Sequence, residues 1–140
     1  MIAKTAEYAL RAVVTLARDP SRAYSADAIA QATRMPRRYT HKVLQALVRS
    51  GLVRSQPGPG GGYALLRAPE DISILDVVEA VEPIPRIHRC PLGLKSHAQL
   101  CPLHQKLDEV AAATERAFAQ VTVAQLLNQA DSVAPLCELR

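Results

Sequence analysis

One stretch of the sequence decides the fold: residues 35–66 read MPRRYTHKVLQALVRSGLVRSQPGPGGGYALL. Pro36 suits the first position of a helix, and the apolar residues from Tyr39 to Val48 then recur at helical spacing. Gly51 suits the left-handed position that follows a helix. Beyond it, two short apolar segments flank a turn rich in Pro and Gly, which is typical of a β-hairpin with a loose tip. The stretch therefore predicts a helix followed by a hairpin.

Two more helices are predicted before this stretch. Thr5 can cap a first helix with one apolar face, and Asp19 and Pro20 end that helix. Ser25 can cap a second, shorter helix. Three helices followed by a hairpin are the element order of a winged helix-turn-helix domain, whose third helix enters the major groove of DNA. The sequence therefore predicts a mainly α fold with a small β-hairpin wing.

The second half of the sequence predicts a fourth helix, a cysteine-containing loop and a long helix. Ser73 with Asp76 three residues later is a helix-capping pattern, and Pro83 and Pro85 mark a linker. After the loop, apolar residues alternate spacings of four and three, which describes a narrow seam for one partner helix. A homodimer is the natural inference. The seam residues are Leu103, Leu107, Val110, Thr114, Ala117 and Val121.

These patterns divide the chain into four parts. We predict a winged helix-turn-helix DNA-binding domain over residues 1–82 and a linker with a cysteine-containing sensor loop over 83–102. Residues 103–129 are predicted to form a long dimerisation helix and a short final helix that Thr122 caps. The tail at 130–140 carries no strong signal.

The charge is uneven along the chain and favours binding of a polyanion by the first half. Residues 1–67 contain 11 Lys and Arg against 3 Asp and Glu, and the remainder contains 6 against 10. A solvated surface with uneven charge is the alternative interpretation. The position of the basic residues after Pro36, where a recognition helix starts, favours contact with a double-stranded DNA operator. The predicted DNA-binding residues are Arg37, Arg38, Thr40, His41 and Lys42 on the third helix, and Arg54, Ser55, Gly60 and Gly61 in the wing.

Several classes of protein do not fit the sequence. No apolar run approaches the roughly 18 residues that span a bilayer, and the amino terminus lacks the pattern of a signal peptide. The three cysteines, at positions 90, 101 and 137, are an odd number that does not suit a disulfide framework. We therefore expect a cytoplasmic protein without a membrane partner. A thiol enzyme is also disfavoured, because the sequence has no glycine-rich phosphate cradle and no base placed to activate a cysteine.

Two segments closely resemble the Rrf2 family of bacterial winged-helix transcription regulators. They are KTAEYALRAVVTLA at residues 4–17 and the segment 35–82, which contains GLVRS, GGY and ISILDVVEAVE. The resemblance covers nearly all of residues 1–128. It implies a dimeric regulator that binds an operator, and several members sense iron-sulfur status, nitric oxide or redox state through a cluster held before the dimerisation helix. One departure is Pro57, where the family often has an arginine.

The sensor loop contains RCPLGLKSHAQLCPLHQ at residues 89–105. Cluster-binding members of the family usually place three cysteines here, whereas this chain has Cys90 and Cys101. The resemblance implies a two-iron, two-sulfur cluster held by these cysteines, by His104 and by Glu7 from the other subunit, with His97 as the alternative to His104. Imidazole can replace thiolate at such iron.

The residues of the loop also suit roles that involve no cluster. The cysteines can be small buried hydrophobic residues in a loop that binds no metal, or they can bind zinc or act as a thiol switch. Glu7 can be an acid favoured by the helix dipole, and Cys137 an incidental thiol of the tail. The predicted function is a homodimeric DNA-binding regulator controlled by a redox-sensitive iron-sulfur cluster. The alternative is the same regulator without a cluster, controlled by a protein partner, a small ligand or thiol oxidation.

Overall fold

The structure is a computed structural model that describes residues 2–129. Its elements, in chain order, are α1 (Lys4–Ala17), α2 (Ala26–Thr33), α3 (Arg37–Arg49), β1 (Val53–Gln56), β2 (Gly62–Leu65), α4 (Ile74–Val81), α5 (Pro102–Ala119) and α6 (Val123–Leu127). A single 3₁₀ turn at Pro69–Asp71 precedes α4. The prediction of a mainly α fold with a small hairpin is confirmed. No helix within residues 2–129 is long and apolar enough to cross a membrane. The predicted tail, with Cys137, lies outside the described residues.

Local capping chemistry sets the start of three helices. The Ser25 hydroxyl accepts a hydrogen bond from the backbone N–H of Ala28 at the start of α2. Two capping boxes, in which the first and fourth residues bond each other's backbone N–H groups, open α4 and α6. The two boxes are joined, because Ser73 and Thr122 form an isolated antiparallel bridge. The final helix is thereby held against the start of α4.

Two predicted helix starts are wrong by one or two residues. The first helix begins at Lys4 with Ala3 at its N-cap position, where no side chain caps the helix. Thr5 therefore lies inside the first turn and cannot cap it. Pro36 is the N-cap of α3 rather than its first helical residue. Its φ of −58° still suits the entry into the helix.

The core lies between α1, α3 and α4 and continues under the hairpin. Apolar residues of α1 are buried on its inner face, and α1 packs against α2, α3, α4 and α6. Burial of such side chains supplies the main driving force for folding. The largest buried side chains are Leu16, Ile29, Leu44, Leu47, Leu52, Ile72, Val13, Val43, Val53, Val77, Val78 and Val123. The core fixes α2 and α3 as one unit with the base of the wing.

The wing is an antiparallel hairpin that is tied to the chain before α2. Val53 pairs with Leu65 and Gln56 with Gly62. Tyr24 and Tyr63 exchange backbone hydrogen bonds of 2.8 and 2.7 Å, which adds a short third strand segment. A Cβ atom at Gly62, which has φ of +135°, would lie 2.2 Å from the carbonyl oxygen of Tyr24, so only glycine fits there. The wing is thus positioned relative to α2 and α3.

The long helix α5 packs against α4 but has no buried residue in the single chain. On its outer face Leu103, Leu107 and Val110 are 63%, 50% and 56% exposed. The predicted seam is therefore uncovered in one subunit over its first half. The helix ends at Ala119, so Val121, the last residue of the predicted seam, lies beyond it.

Candidate nucleic-acid interface and sensor loop

The amino-terminal end of α3 exposes most of the predicted recognition residues. Arg37, Arg38, His41 and Lys42 are exposed, while the apolar face of the same helix is buried in the core. The guanidinium of Arg38 lies 5.1 Å from the centre of the Tyr39 ring, within the range of a cation–π contact. This end of α3 therefore presents a basic surface of the kind that contacts DNA.

The side chain of Arg37 is paired with an acid of the preceding helix. Its Nη2 atom lies 2.7 Å from Oδ1 of Asp27, which is in the first turn of α2. Asp27, Arg37, Thr40 and His41 line a hollow of about 80 Å³ between the two helices. Asp27 is not among the predicted DNA-binding residues, and the structure places it beside Arg37 on this surface.

Thr40 does not belong to the exposed surface of α3. Its residue is 3% exposed, and its hydroxyl donates a hydrogen bond of 3.3 Å to the carbonyl oxygen of Pro36. The hydroxyl is thus engaged by the preceding turn of its own helix. Contact of Thr40 with DNA stays a prediction, and its burial favours a packing role.

In the wing, the predicted residues are exposed or lie on its tight turn. Arg54 donates a hydrogen bond from Nη1 to Oε1 of Gln56, at 2.8 Å, and Ser55 is exposed beside it. Gly60 has φ of +75°. A Cβ atom at Gly61 would lie 2.1 Å from the carbonyl oxygen of Gln56, so the turn requires glycine at that position. The predicted wing contacts are thus accessible.

The base of the sensor loop is fastened to α5 by Arg86. Its Nε and Nη2 atoms bond the two carboxylate oxygens of Asp108 at 2.7 and 3.0 Å, and Nη1 reaches Glu115 at 3.3 Å. The backbone N–H of Ile87 also donates to Asp108. The hydrogen bonds from Arg86 and Ile87 hold the pKa of the Asp108 carboxyl well below its usual range. We call this group, Arg86 with Ile87, Asp108 and Glu115, the loop clamp.

Cys90 and His97 face the same depression of the loop, which has a volume of about 410 Å³. A hydrogen bond from the backbone N–H of Leu94 lowers the pKa of the Cys90 thiol, and partial burial opposes the shift. The backbone N–H groups of Leu92 and Gly93 add to the lowering. Amide groups that donate to sulfur favour the thiolate, which is the form that binds metal.

A cysteine and a histidine are in contact at the start of α5. Cys101 is the N-cap residue of this helix, and its Sγ atom lies 3.3 Å from Nδ1 of His104. Glu7 is not part of either group, since its carboxylate accepts a contact of 2.8 Å from Arg11 one turn later in α1. Within residues 2–129, no three His, Cys, Asp or Glu side chains form a group that could hold a metal ion.

The donors of the loop nevertheless fit an iron-sulfur cluster in their chemistry. The Nδ1 atom of His97 is buried and has no hydrogen-bond partner among the described residues. An unsatisfied buried nitrogen costs about 1–3 kcal/mol, and a bond to a metal would remove that cost. Thiolate and imidazole are both known ligands of two-iron clusters. The set fits in its chemistry, but no three of these donors lie together among the described residues, so the loop has to rearrange when a cluster binds.

The sequence pattern of the Rrf2 family, described as an iron-dependent transcriptional regulator, matches residues 2–129 of the chain. The protein belongs to the Rrf2 family. Like the family members that it resembles, it is a transcriptional regulator with a DNA-binding fold and is not an enzyme. The resemblance seen in the sequence is thereby confirmed.

Individual relatives agree with this assignment. A putative HTH-type transcriptional regulator, rrf2-like, from Rhodobacter capsulatus is 35% identical over 126 residues, which cover 86% of this chain and 81% of the relative. A putative HTH-type regulator from Aquifex aeolicus is 30% identical over 128 residues, with 89% of each chain covered. Both matches extend over most of the Rrf2-family protein.

Solved structures share the fold. T. potens IscR superimposes with a TM-score of 0.76 at 23% identity, covering 94% of this chain and 88% of that one. CymR (YrzC), the global cysteine regulator of B. subtilis, gives 0.75 at 22% identity and covers 94% and 98%. At these identities the likeness shows the winged helix fold of the Rrf2-family protein.

Four residues of the two surfaces were not found by sequence reasoning: Asp27, Arg86, Asp108 and Glu115. Asp108 and Glu115 are seven residues apart in α5, so an acidic stripe could have been recognised from helical spacing. No comparable signal exists for Arg86 or for the contact of Asp27, because their partners are 22 and 10 residues away in the sequence.

Proposed function

We propose that this Rrf2-family protein is a homodimeric regulator whose affinity for its operator is controlled by a redox-sensitive [2Fe-2S] cluster. The observation that carries the proposal is the loop clamp, which fastens the cysteine-containing loop to α5. Any closure of the loop around its donors would pull on this helix. Because α5 is the proposed dimer helix, the spacing of the two recognition helices would change with it.

The basic end of α3 and the exposed wing support operator binding. Arg37, Arg38 and Lys42 can neutralise phosphates or reach base edges, and Arg54 of the wing can contact the backbone. A DNA interface of this kind has a steep salt dependence, with a slope of about 0.9 in the logarithm of affinity for each phosphate neutralised.

The uncovered face of α5 supports the homodimer. The seam continues into an apolar groove of about 360 Å³ that is lined by Val110, Thr114 and Phe118 of α5 and by residues of α1, α4 and the linker. An apolar helix face that is continuous with an apolar groove fits a second copy of the same helix. Two copies would place two recognition helices for successive major grooves.

Cys90, Cys101 and His104 are three of the proposed ligands. The fourth predicted ligand is Glu7 of the second subunit, and the sequence predicts His97 only as the alternative to His104. Because His104 contacts Cys101, His97 becomes a candidate for the fourth position instead: its Nδ1 has no partner among the described residues, whereas the Glu7 carboxylate already contacts Arg11. When bound, the cluster would supply a one-electron redox centre whose potential is raised by imidazole ligands.

The test is protein purified without oxygen, with an ultraviolet-visible spectrum and iron and sulfide analysis. We expect visible absorption with about two irons and two sulfides per chain, as a [2Fe-2S] cluster requires. Operator affinity is then compared between the loaded protein, the chelator-stripped protein and Cys101→Ser. A colourless protein that resists reconstitution, or equal affinity of loaded and stripped protein, would contradict cluster control without affecting the DNA-binding assignment.

A second candidate, control by thiol oxidation without a cluster, is favoured by the contact between Cys101 and His104. The Sγ atom of Cys101 lies 3.3 Å from Nδ1 of His104 at the amino end of α5, and Cys101 is only partly buried, so an oxidant can reach it. A CymR from Staphylococcus aureus with the same fold has been solved in an oxidized form. Under this candidate, peroxide changes the operator affinity of metal-free protein, a thiol reductant reverses the change, and Cys101→Ser abolishes the response.

A further inference from the structure

An acid lies on the predicted DNA-binding surface, in direct contact with a predicted recognition residue. Asp27 and Arg37 come from the two helices of the helix-turn-helix, with Oδ1 and Nη2 2.7 Å apart. Both side chains are largely in solvent, at 76% and 81% exposure. Asp27 also suits the first turn of α2 electrostatically, but that placement does not require any contact with Arg37.

The small contribution of this ion pair to folding stability does not explain its presence. Ion pairs between exposed side chains typically contribute about 0–1 kcal/mol, because water screens the charges and two side chains lose freedom. On a surface that meets phosphates, an acid also lowers affinity by repulsion. The pair therefore has one clear physical consequence, which is to restrict the orientation of the Arg37 guanidinium.

That restriction suits a base-reading arginine. A guanidinium carries five N–H donors, and within residues 2–129 the Arg37 side chain uses Nη2 for its one hydrogen bond. Two parallel donors are needed to read the O6 and N7 atoms of guanine in the major groove. Arg37 is the first residue of α3, at the end of a recognition helix that reaches base edges.

We propose that Asp27 is a positioning residue that holds Arg37 in the orientation in which it reads a guanine of the operator. The proposal rests on operator binding through α3, which is part of the proposed function, and assigns a specificity determinant to α2. If Asp27 acts only through its charge, or if it positions Arg37, its removal should change DNA binding in different ways. Loss of negative charge alone strengthens binding to every DNA, whereas loss of positioning lowers the preference for the operator over other DNA.

The experiment starts with selection of bound duplexes from a random pool by the full-length wild-type protein. Affinities for the selected duplex, for a copy with the Arg37-dependent guanine pair replaced, and for a scrambled duplex are measured by fluorescence anisotropy at one salt concentration. That base pair is identified as the position at which the Arg37→Ala protein binds the selected duplex and a duplex with the pair replaced equally well. The variants are Asp27→Asn, Arg37→Ala and the double mutant, with Glu79→Gln as a control that neutralises an exposed acid of α4.

We expect Asp27→Asn to lower the preference for the guanine pair roughly tenfold, within the range of a bidentate contact, while affinity for scrambled DNA stays level or rises. The double mutant should lose no more preference than Arg37→Ala, and Glu79→Gln should retain it. An unchanged preference in Asp27→Asn would overturn the positioning role. A wild-type protein that selects no sequence would instead contradict operator binding itself, and the inference would fall with it.

Discussion

At the scale of single residues, a Thr40 variant tests whether this residue of α3 acts in packing or in DNA recognition. Because its hydroxyl is buried and bonds Pro36, we expect Thr40→Val to leave operator affinity unchanged and to lower the free energy of unfolding by about 1 kcal/mol. Urea denaturation and a DNA titration measure the two effects. Lys42→Ala is the matched control: it should leave stability unchanged and reduce the salt slope by about one unit. Weakened DNA binding in Thr40→Val would mean that Thr40 contributes to the DNA interface.

His97 gives a second residue-scale prediction, for protein loaded with iron and sulfide. Its buried Nδ1 atom lacks a partner among the described residues, so we expect His97→Ala to lose most of its iron while the metal-free protein keeps its stability. Glu7→Gln, in contrast, should keep its iron, because the Glu7 carboxylate is occupied by Arg11. The reverse pattern in the iron analysis would assign the fourth ligand to Glu7 of the second subunit.

Most residues whose effect is local were predictable, with Thr5 as the exception, and residues whose partners are distant were not. Ser25, Ser73 and Thr122 were identified as caps because the bonded N–H groups lie three residues away in the chain. The partner of Arg37 lies in another helix and depends on how α2 and α3 pack. For the same reason, the sequence indicated which residues of the loop are donors but not that Cys90 and His97 line one depression without Cys101.

At the scale of elements, the loop clamp joins the sensor loop to α5 through Asp108. The pKa of its carboxyl is lowered, first by the hydrogen bond from Arg86 and then by the backbone N–H of Ile87. A group with a lowered pKa stabilises the folded state above its unfolded pKa, about 3.9, and this contribution is lost as the pH falls through the folded value. We therefore expect Asp108→Asn to be less stable than wild type at neutral pH, with the gap beginning to narrow below about pH 4 and closing only when the pH falls below the lowered pKa of Asp108.

Urea denaturation across this pH range measures the difference. Glu109→Gln is the matched control, since Glu109 forms a pair with Lys106 on the exposed side of the same helix and should matter little. A constant gap between Asp108→Asn and wild type at all pH values would mean that the clamp does not depend on the carboxylate charge. In loaded protein, the same variant should weaken the effect of the cluster on operator affinity if the clamp links the loop to α5.

The elements themselves followed from the sequence with small errors at their ends. Helical spacing located α3 and α5, and the Pro- and Gly-rich turn located the hairpin. The bridge between Tyr24 and Tyr63 was not predictable, because a two-residue exchange of backbone hydrogen bonds leaves no periodicity. The clamp was missed for a related reason: Arg86 lies in an irregular linker, where spacing carries no information on side-chain direction.

At the scale of the whole molecule, the chain divides into a basic part, residues 1–67, and an acidic part that includes α4, the linker and α5. The excess of Lys and Arg lies in residues 1–67, which include the winged helix surface. The uncovered apolar face lies on α5, which comes later in the chain than these basic residues. A dimer formed through α5 would leave both basic surfaces available to one DNA duplex. DNA binding by this protein and its proposed dimerisation thus involve different parts of the chain.

Leu107 provides the test of that arrangement. It is 50% exposed at the middle of the uncovered seam, and in a twofold interface each substitution acts twice. Full burial of a leucine stabilises by about 1.5–3 kcal/mol, and about half of each Leu107 is still exposed, so loss of both copies should weaken dimerisation by roughly 10- to 100-fold. Sedimentation equilibrium measures this, and Leu66→Glu, on an exposed leucine outside α5, is the control. Operator affinity should fall together with dimerisation, because one subunit reads one half-site. A Leu107→Glu protein that remains dimeric would place the interface elsewhere, and a monomer with full operator affinity would separate recognition from dimerisation.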